Sequence, residues 1–258
     1  MKFAVIGLGF IANRHIAAIE RTGNKVIWTC DPDESKRKDY PFVKNWRDLL
    51  EVKEIDAVSI CTPNDLHYEI AKSFAEKGKK VLCEKPLTIS SEDKLPDNVF
   101  TVLQLRHHPD LNKIKIGKSL HLFVQVKRDD SYWYSWKGDE KRSGGILFNL
   151  GIHYFDILIH LLGNDYEVLK SRHNACSASG IIKFKDTIAT YKIQISKTDK
   201  GQARYIESGG SRTNFSDKDN LSYEDLHVKV YEDFIINKGV KPEEANKSIK
   251  LVEKLYGR

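Results

Sequence analysis

Short apolar runs that do not alternate with polar residues recur along residues 1–104. They are rich in β-branched and aromatic side chains, which is typical of strands covered on both faces of a parallel sheet. Amphipathic segments lie between them, such as 65–77 before Gly78. The predicted strands span residues 3–6, 26–30, 57–61, 80–83 and 99–103. This alternation predicts an α/β fold whose first domain, residues 1–104, is a doubly wound parallel sheet.

The pattern changes after residue 104, where apolar and polar positions begin to alternate. Residues 119–127 and 189–195 both alternate, which predicts strands with one exposed face in an open, mainly antiparallel sheet. A closing helix over 242–256 begins at Pro242 and carries acidic residues in its first turn. Residues 105–258 are therefore predicted to form a second domain of the α+β class.

Composition and charge narrow the function classes. Hydrophobic residues make up 40% and charged residues 30% of the 258 residues, which excludes a disordered or collagen-like chain. No uninterrupted apolar run reaches the ~20 residues of a membrane span, and the first residues resemble a buried strand more than a signal peptide. The net charge of +6 comes from interspersed basic residues without a recognition motif. We therefore expect a soluble, cytoplasmic protein that binds neither a membrane nor a nucleic acid.

The four cysteines predict neither a disulfide framework nor a metal site. They lie far apart, without a Cys-x-x-Cys spacing, and three of them end predicted strands. Buried, reduced thiols are the expected state in a reducing compartment. The cysteines are Cys30, Cys61, Cys83 and Cys176.

A glycine-containing turn, residues 7–12, follows the first predicted strand and opens a helix. Its first glycine permits a tight turn, its second lets a diphosphate approach the backbone, and the helix N-terminus faces the phosphates. Asp31 ends the second strand, where a carboxylate accepts hydrogen bonds from a ribose and repels the extra phosphate of NADP. The pattern predicts a Rossmann-type NAD site. Two alternatives stay open: a glycine turn without a nucleotide, and NADP, because basic residues follow at 36–38.

A second candidate site lies on the predicted helix 146–162, which is apolar nearly all round. Its polar residues follow one stripe at helical spacing. A buried polar stripe must be hydrogen-bonded, either by a ligand in a cleft or by neighbouring core groups. We assign Asn149 and His153, near the helix start, to a site, and both interpretations stay open for Asp156 and His160.

Polar residues also follow two of the predicted strands at their carboxyl ends, where open α/β sheets bind their ligands. Lys85, in the run Cys83-Glu84-Lys85-Pro86, could bind a substrate oxygen or assist proton transfer. Thr62 and Asn64 follow the preceding strand and could contact ribose or nicotinamide. The alternative for Lys85 is an ordinary surface lysine in a turn.

The loop 128–145 combines four aromatic residues with basic residues, including Lys137 and Arg142. Aromatic faces beside cationic groups suit a flat, anionic ligand. Exposed aromatic residues also mark contacts between subunits, and both interpretations can hold together.

Taken together, these motifs resemble the glucose–fructose oxidoreductase, inositol dehydrogenase and MocA family over almost the whole chain. The resemblance rests on GLGFIA at 7–12, CTPNDLH at 61–67, CEKP at 83–86 and GGILFNLGIHYFD at 144–156. One branch, the UDP-N-acetylglucosaminuronate 3-dehydrogenases (WlbA/WbpB-like), is similar in three further segments: 102–109, 131–145 and 226–235. The resemblance implies that the sugar 3-hydroxyl is oxidised with NAD in surface-polysaccharide synthesis.

The resemblance also implies a role for each matching residue. Lys85 would bind the reacting hydroxyl, and His153 would be the general base, since a neutral imidazole near pH 7 can take a hydroxyl proton. Asn149 takes the place where many members of the family carry Asp. NAD would be held by Gly7, Gly9, Phe10, Ile11, Asp31, Thr62, Asn64, His67, Glu84 and Lys85. The UDP-sugar would be bound by Lys85, Arg106, Lys137, Arg142, Asn149 and His153.

Two alternative functions stay open: a dehydrogenase of another sugar or cyclitol, and a non-catalytic sensor on the same fold. The resemblance implies a homo-oligomer, a dimer or a tetramer, with the open sheet facing substrate and neighbouring subunits. One departure from the family concerns the first domain. Only twelve residues, 87–98, separate Pro86 from the strand at Val99, so the helix that the family has there is predicted to be lost or cut to a turn.

Overall fold

The computed structural model describes residues 1–197, 202–215 and 222–258. By their contacts, these residues form two compact units. The first unit comprises Met1–Thr88, Glu92–Gln104 and Asn220–Ala245, and the second comprises Ile89–Ser91, Leu105–Asp219 and Asn246–Arg258. The change of unit between residues 104 and 105 coincides with the predicted domain boundary. The segment 222–245 differs from the prediction, because it belongs to the first unit.

A six-stranded parallel sheet forms the centre of the first unit. Its strands are β1 (Lys2–Ile6), β2 (Lys25–Cys30), β3 (Phe42–Val43), β4 (Ala57–Ile60), β5 (Lys80–Cys83) and β6 (Val99–Thr101). Their order, β3-β2-β1-β4-β5-β6, is that of a dinucleotide-binding doubly wound sheet. The predicted Rossmann-type sheet is confirmed. Sequence analysis missed only the edge strand β3, which is too short to show a periodic pattern.

Helix α6 explains why the segment 222–245 belongs to the first unit. The α-helices of the described residues are α1 (Ala12–Arg21), α2 (His67–Glu76), α3 (Asp130–Tyr134), α4 (Glu140–Ser143), α5 (Ile152–Leu162), α6 (Tyr223–Ile235) and α7 (Pro242–Tyr256). Tyr231 and Phe234 of α6 pack on Phe3 of β1, with ring centroids 5.7 Å and 6.0 Å away. Each such buried ring contributes about 1.5–3 kcal/mol, so the apolar face of α6 anchors it to the sheet.

The crossover from β5 to β6 contains no helix, as predicted from the shortness of residues 87–98. Asn98 supports this connection, because its side-chain amide donates to the carbonyls of Ala75 (3.0 Å) and Lys79 (2.8 Å) after α2. The carbonyl of Asn98 accepts the N–H of Val81 at 2.9 Å. These bonds hold the strand β5, and the turn that follows it, without a crossover helix.

The second unit contains a six-stranded mixed sheet. Its strands are β7 (Ser119–Lys127), β8 (Tyr166–His173), β9 (Ser177–Phe184), β10 (Thr187–Ser196), β11 (Ala203–Ser208) and β12 (Ser211–Asn214). The order is β12-β11-β7-β10-β9-β8, and only the pair β7–β10 is parallel. The prediction of a mainly antiparallel sheet is confirmed. The one parallel pair arises because the long connection between β7 and β10 carries α3, α4 and α5.

Helix α5 packs closely on the covered face of this sheet. Phe155 of α5 meets Tyr191 of β10 edge to face, with centroids 5.2 Å apart. A Cβ atom on Gly151 would lie 2.6 Å from Phe155 and 2.9 Å from Ile193. The glycine before α5 therefore allows the start of the helix to approach β10.

The helical stretch Glu140–Leu162, which includes α4 and α5, corrects one expectation from the sequence. It is long and apolar enough to cross a membrane by length and composition, with a mean hydropathy of 1.5. Sequence analysis did not find it because four polar residues interrupt the apolar run. Of its apolar window, 67% is buried within the protein, and a core helix satisfies the same criterion.

Candidate active site

The turn between β1 and α1 requires glycine at its first position. Gly7 has a φ of +89°, and a Cβ atom there would lie 2.8 Å from the carbonyl carbon and oxygen of Cys61. The N–H of Gly7 donates to the carbonyl of Cys30 at 2.7 Å, which ties the turn to the end of β2. The backbone thus runs against the ends of β2 and β4, on a path that only glycine takes without strain.

Gly9 and Phe10 of the turn face open space. A Cβ atom on Gly9 would meet no atom within 4 Å, and Phe10 is 77% exposed. Half-buried Ile11 precedes α1, and within the described ranges no side chain caps the start of this helix. The N–H of Ala12 donates to the carbonyl of Gly9 at 3.1 Å, and the positive end of the helix dipole suits an anion such as a diphosphate.

Asp31 is joined to the glycine turn. Its side chain is 6% exposed, and Oδ2 accepts the N–H of Leu8 at 2.8 Å. Its Oδ1 accepts the N–H of Asp33 at 3.0 Å and the ammonium of Lys36 at 3.2 Å. The carboxylate predicted to bind ribose therefore lies at the carboxyl end of β2. It lies beside Lys36, one of the three basic residues for which NADP was kept as an alternative cofactor.

Thr62 and Asn64 follow β4, and the N atom of Thr62 lies against Gly7. The hydroxyl oxygen of Thr62 is buried and has no hydrogen-bond partner in the part of the chain that the structure describes. Buried hydroxyls are nearly always hydrogen-bonded, so this oxygen indicates a ligand or a water molecule. Asn64 is only 4% exposed. With the open face at Gly9 and the carboxylate of Asp31, these residues fit a dinucleotide.

His67 differs from its predicted contact with the cofactor. It is fully buried, and its ring nitrogens lie 2.7 Å from the carbonyl oxygen of Pro86 and 3.0 Å from that of Thr62. Burial lowers the pKa of His67, so the ring is neutral and donates to one carbonyl at a time. His67 links the segments that follow β4 and β5, which is a positioning role.

Glu84 also differs from its predicted contact with the cofactor. Its Oε1 lies 3.0 Å from Nε2 of His15 and 3.6 Å from Nε2 of His227, and its Oε2 accepts the N–H of Lys85 at 3.0 Å. Burial by itself would raise the pKa of Glu84, but hydrogen bonds from His15 and His227 hold it well below its usual value. Both carboxylate oxygens are therefore engaged inside the first unit.

Lys85 lies half-buried in the turn after β5, and its peptide bond to Pro86 is cis. Strands β4 and β5 pair in parallel, with Ile60 beside Cys83. Lys85 and Thr62 consequently follow neighbouring strands at the same sheet edge, where open α/β sheets bind ligands. Lys85 therefore lies at the sheet edge where the sequence places it, and its role in the reaction stays a prediction.

The predicted helix 146–162 begins with a π-helical turn, Leu147–Gly151, and continues as α5. Such turns are frequent at functional sites. Asn149 is buried in this turn, and its Nδ2 donates to the hydroxyl of Tyr132 at 2.8 Å. His153, in the first turn of α5, is half-buried. The second unit thus joins Asn149 to the aromatic loop.

Arg106 has a protein partner where a substrate contact was predicted. Its Nε lies 2.7 Å from Oδ2 of Asp156, and its guanidinium also donates to Oδ1 at 2.6 Å. The Asp156 side chain is 1% exposed and that of Arg106 is 11% exposed. This paired geometry assigns Asp156, and with it Arg106, to the core of the second unit. His160, also left open above, is exposed.

Basic side chains surround the aromatic loop of the second unit. Arg128 lies over the ring of Tyr132 at 5.6 Å, and exposed Lys137 over that of Trp136 at 5.9 Å. Burial lowers the pKa of the Arg128 guanidinium, and the nearby charge of Arg204 lowers it further. Arg142, also predicted to bind substrate, is half-buried in α4. Arg128 was missed by sequence analysis, although it lies four residues before Tyr132 in the loop.

Three further residues that sequence analysis missed surround Glu84. They are His15, His227 and Tyr231, all fully buried. The signal was present on α6, where His227 and Tyr231 are four residues apart and share a helix face with Phe234. In the described residues, one group of carboxylate and imidazole atoms lies within 4.8 Å, namely that of His15, Glu84 and His227. The 3.0 Å contact between His15 and Glu84 is a hydrogen-bond distance, and we assign the group to a hydrogen-bond network.

Alanine at the two glycines of the turn is expected to separate folding from cofactor binding. Gly7→Ala should destabilise the protein by about 2–4 kcal/mol, because a positive φ and a backbone overlap both oppose the methyl group. Gly9→Ala should leave the melting temperature unchanged and weaken NAD binding about 10-fold, since its methyl group enters the open space. Thermal unfolding and NAD titration measure the two effects. Equal melting temperatures for both variants would contradict this division.

Two models of one family match the chain. The model described as "Oxidoreductase family, NAD-binding Rossmann fold" matches residues 1–95. The model described as "Oxidoreductase family, C-terminal alpha/beta domain" matches residues 110–198. Together the two models cover more than half of the chain.

Solved structures and curated relatives are similar to the chain. The WlbA (WbpB) dehydrogenase of Thermus thermophilus, in complex with NAD and α-ketoglutarate, has a TM-score of 0.86 and 28% identity, over 99% of this chain and 94% of that one. The same dehydrogenase with NAD and UDP-GlcNAcA has a TM-score of 0.84 and 28% identity, over 98% and 93%. Myo-inositol 2-dehydrogenase of Thermotoga maritima is 28% identical over 192 residues, 65% of this chain and 56% of the relative. The chain spans about half the length of the curated relatives that it matches.

Proposed function

Because the chain belongs to the glucose–fructose oxidoreductase, inositol dehydrogenase and MocA family of NAD-dependent oxidoreductases, we propose that it oxidises the 3-hydroxyl of UDP-N-acetylglucosaminuronic acid. The observation that carries the substrate is the similarity, at 28% identity, to a dehydrogenase crystallised with NAD and UDP-GlcNAcA. The product would be the 3-keto sugar. A cytoplasmic location and a homo-oligomer, a dimer or a tetramer, stay predictions.

The first unit supports the cofactor part of the proposal. The glycine turn presents the uncapped start of α1 to open space, Asp31 lies at the end of β2, and the buried Thr62 hydroxyl fits a ligand. When bound, NAD supplies the nicotinamide that accepts the hydride of the oxidised carbon. Gly7, Gly9 and Asp31 would hold its diphosphate and ribose, and Thr62 and Asn64 its nicotinamide half.

The second unit supports an anionic substrate. UDP-N-acetylglucosaminuronic acid carries a diphosphate and a carboxylate, which are bound best by charge-assisted hydrogen bonds. Arg128 and Lys137 lie over aromatic rings of one loop, and the hydroxyl of Tyr132 in that loop accepts from Asn149. This arrangement suits an anionic ligand with flat groups better than it suits a neutral cyclitol.

Two side chains have proposed roles in the chemical step. His153 accepts the proton of the 3-hydroxyl, which a neutral imidazole does near pH 7. Lys85 donates a hydrogen bond to the same oxygen and stabilises its developing negative charge. The loss of the hydroxyl proton then accompanies the departure of the hydride from carbon.

A substrate comparison tests the proposal. NADH formation by the purified protein should be strong with UDP-N-acetylglucosaminuronic acid and weak with UDP-N-acetylglucosamine, which carries a neutral hydroxymethyl group in place of the carboxylate. Both should be compared with myo-inositol and glucose. Because the Thermus thermophilus relative was crystallised with α-ketoglutarate, a parallel reaction contains this keto acid. The 3-keto sugar is measured there in place of NADH, since reduction of the keto acid to 2-hydroxyglutarate would consume NADH. Strong turnover of inositol or glucose with no response to the UDP-sugar would refute the proposed substrate.

A dehydrogenase of a cyclitol or another sugar is the second candidate. It is favoured by the similarity to myo-inositol 2-dehydrogenase of Thermotoga maritima. The same comparison of substrates decides between the two candidates, because a neutral polyol has no anionic group to pair with the basic residues of the aromatic loop.

Replacing Arg128 should affect the substrate and spare the cofactor. We expect Arg128→Gln to raise KM for the UDP-sugar about 10-fold or more, since a hydrogen bond to a charged group contributes about 1.5–3 kcal/mol. KM for NAD should stay within about 2-fold, because the contacts of Arg128 belong to the second unit. The control is Arg172→Gln, which removes an exposed arginine from β8 of the same unit. Equal KM values for the sugar in both variants would rule out this role of Arg128.

A further inference from the structure

A buried chain of hydrogen bonds in the first unit ends on Glu84. The hydroxyl of Tyr231 donates to Oγ of Ser59 at 2.8 Å and also lies 2.8 Å from Nδ1 of His15, and Ser59 Oγ lies 2.9 Å from the same Nδ1. Nε2 of His15 lies 3.0 Å from Oε1 of Glu84. Tyr231, Ser59 and His15 are all fully buried. The chain links α6, β4 and α1 to the turn after β5.

Charge fixes the direction of these hydrogen bonds. If Nδ1 of His15 carried the proton of the neutral ring, the lone pair of Nε2 would face the Glu84 carboxylate. The favourable arrangement has Ser59 donating to Nδ1 and the Nε2–H donating to Glu84. Every donor from Tyr231 onward then points toward the carboxylate, which strengthens each bond in turn.

Helix α6 contributes a second group at the same carboxylate oxygen. Nε2 of His227 lies 3.6 Å from Oε1 of Glu84, and its ring meets that of His15 edge to face, with centroids 5.3 Å apart. His227 and Tyr231 are one helical turn apart, so α6 presents both to the network. The other carboxylate oxygen, Oε2, accepts the N–H of Lys85 at 3.0 Å.

The network holds a negative charge in a buried place. Burial alone would disfavour the carboxylate, but the two imidazoles outweigh it and keep the pKa of Glu84 well below its usual value. Burial lowers the pKa of His15, so that ring donates as a neutral group. Among the described residues, seven titratable groups lie close enough to Glu84 to interact with it electrostatically. They are His15, His227, Lys85, Cys61, Cys83, His67 and Tyr231.

We propose that Tyr231, Ser59, His15 and His227 form a positioning network that orients the Glu84 carboxylate and through it the backbone that carries Lys85. None of these four residues acts on the substrate directly. The proposal rests on the proposed function in one respect, namely that Lys85 binds the reacting hydroxyl. The proposal gives helix α6 a role in the reaction, because His227 and Tyr231 lie on that helix.

Two substitutions at His15 test the network by rescue. His15→Gln keeps a side-chain N–H that can donate to Glu84, whereas His15→Leu removes it. We expect kcat to fall at least about 10-fold in the leucine variant and less than about 3-fold in the glutamine variant, with KM for NAD nearly unchanged. Tyr231→Phe, which keeps the ring packing, should lower kcat about 2–10-fold for the loss of one neutral hydrogen bond.

The pH dependence distinguishes positioning from a general loss of structure. In the wild type Glu84 stays ionised throughout the assay range. Without the His15 donor, His227 alone opposes the effect of burial and we expect the Glu84 pKa to rise, so kcat/KM of His15→Leu should fall as the pH is lowered and recover as it is raised. A loss that is equal at every pH would overturn the proposal.

A stability measurement keeps this test independent of the substrate. The lowered Glu84 pKa of the wild type contributes stability above the unfolded-state pKa, and this stability is lost as the pH falls through the folded-state value. In His15→Leu we expect the folded-state pKa to rise above the unfolded one, which reverses the sign. The difference in melting temperature between wild type and variant should therefore widen as the pH rises from about 4.5 to 7. This result stands even if the sugar proves to be a different one.

The matched control is Tyr191→Phe in the second unit. The hydroxyl of Tyr191 lies 2.8 Å from Oγ of Ser171, so the substitution removes the same tyrosine–serine bond with no carboxylate at its end. It should change neither kcat nor the pH profile. A change equal to that of Tyr231→Phe would overturn the proposal. So would a metal ion bound at one per chain whose removal abolishes activity, since His15 and Glu84 would then be its ligands.

Discussion

Replacing Lys85 with alanine is expected to lower kcat at least ~100-fold. The ammonium stabilises charge that develops on the substrate oxygen only in the transition state, so kcat and kcat/KM should fall together. The backbone of Lys85 keeps its hydrogen bond to Glu84 in this variant, and the fold should be unaffected. Initial rates of NADH formation with the UDP-sugar measure the effect.

Lys94→Ala is the control for this substitution. Lys94 is an exposed lysine of the segment between β5 and β6, and its loss should leave the rate within about 2-fold. If Lys85→Ala retained more than about a tenth of the activity, the proposed role of Lys85 would be wrong. If the wild type bound NAD and sugar without any turnover, and Lys85→Ala did not alter its biological effect, the sensor would be the better description.

His153→Asn is expected to lower kcat by about 100- to 10,000-fold, the usual contribution of a general base. Asparagine is close in size and polarity to histidine but cannot accept the hydroxyl proton. Because hydroxide can take over part of the missing function, the residual rate of the variant should rise with pH more steeply than the wild-type rate. NAD affinity, measured by titration, should not change, since His153 belongs to the second unit.

His160→Asn provides the matched control on the same helix. His160 is exposed, seven residues after His153 in α5, and its replacement should leave kcat unchanged. A wild-type-like rate in His153→Asn would remove His153 from the proposed chemistry. An equal loss in both variants would indicate a general disturbance of α5 instead.

Local patterns predicted most of the fold. Five parallel strands followed from uninterrupted apolar runs, the closing helix 242–256 from its end signals, and the loss of the crossover helix from the length of 87–98. The edge strand β3 was not predicted, because two residues are too few to show a strand pattern. In the polar, glycine-containing stretch 196–220, which looked shortened from the sequence, the described residues include β11 and β12, while 198–201 and 216–220 lie outside the described residues.

For the candidate site, the sequence predicted where some residues lie but not what others contact. Gly7, Asp31, Thr62 and Lys85 lie at the sheet edge where their motifs predicted them. Glu84 and His67 belong to equally recognisable motifs, yet their polar atoms face His15, His227 and backbone carbonyls. A motif indicates that a side chain matters near a site, but it does not tell whether the side chain faces the ligand or the core behind it.

By itself, the sequence determined the family, the Rossmann-type sheet, the cofactor and the positions of the glycine turn and of Lys85. These features depend on residues close together in the chain, where spacing and side-chain type set the local structure. Only the tertiary structure decided that Arg106 pairs with Asp156, and that α6 returns to the first unit to place His227 against Glu84 and Tyr231 against His15. Those partners are separated by 50 to 216 residues, and hydrogen bonds over such distances exist only once the core has brought the elements together.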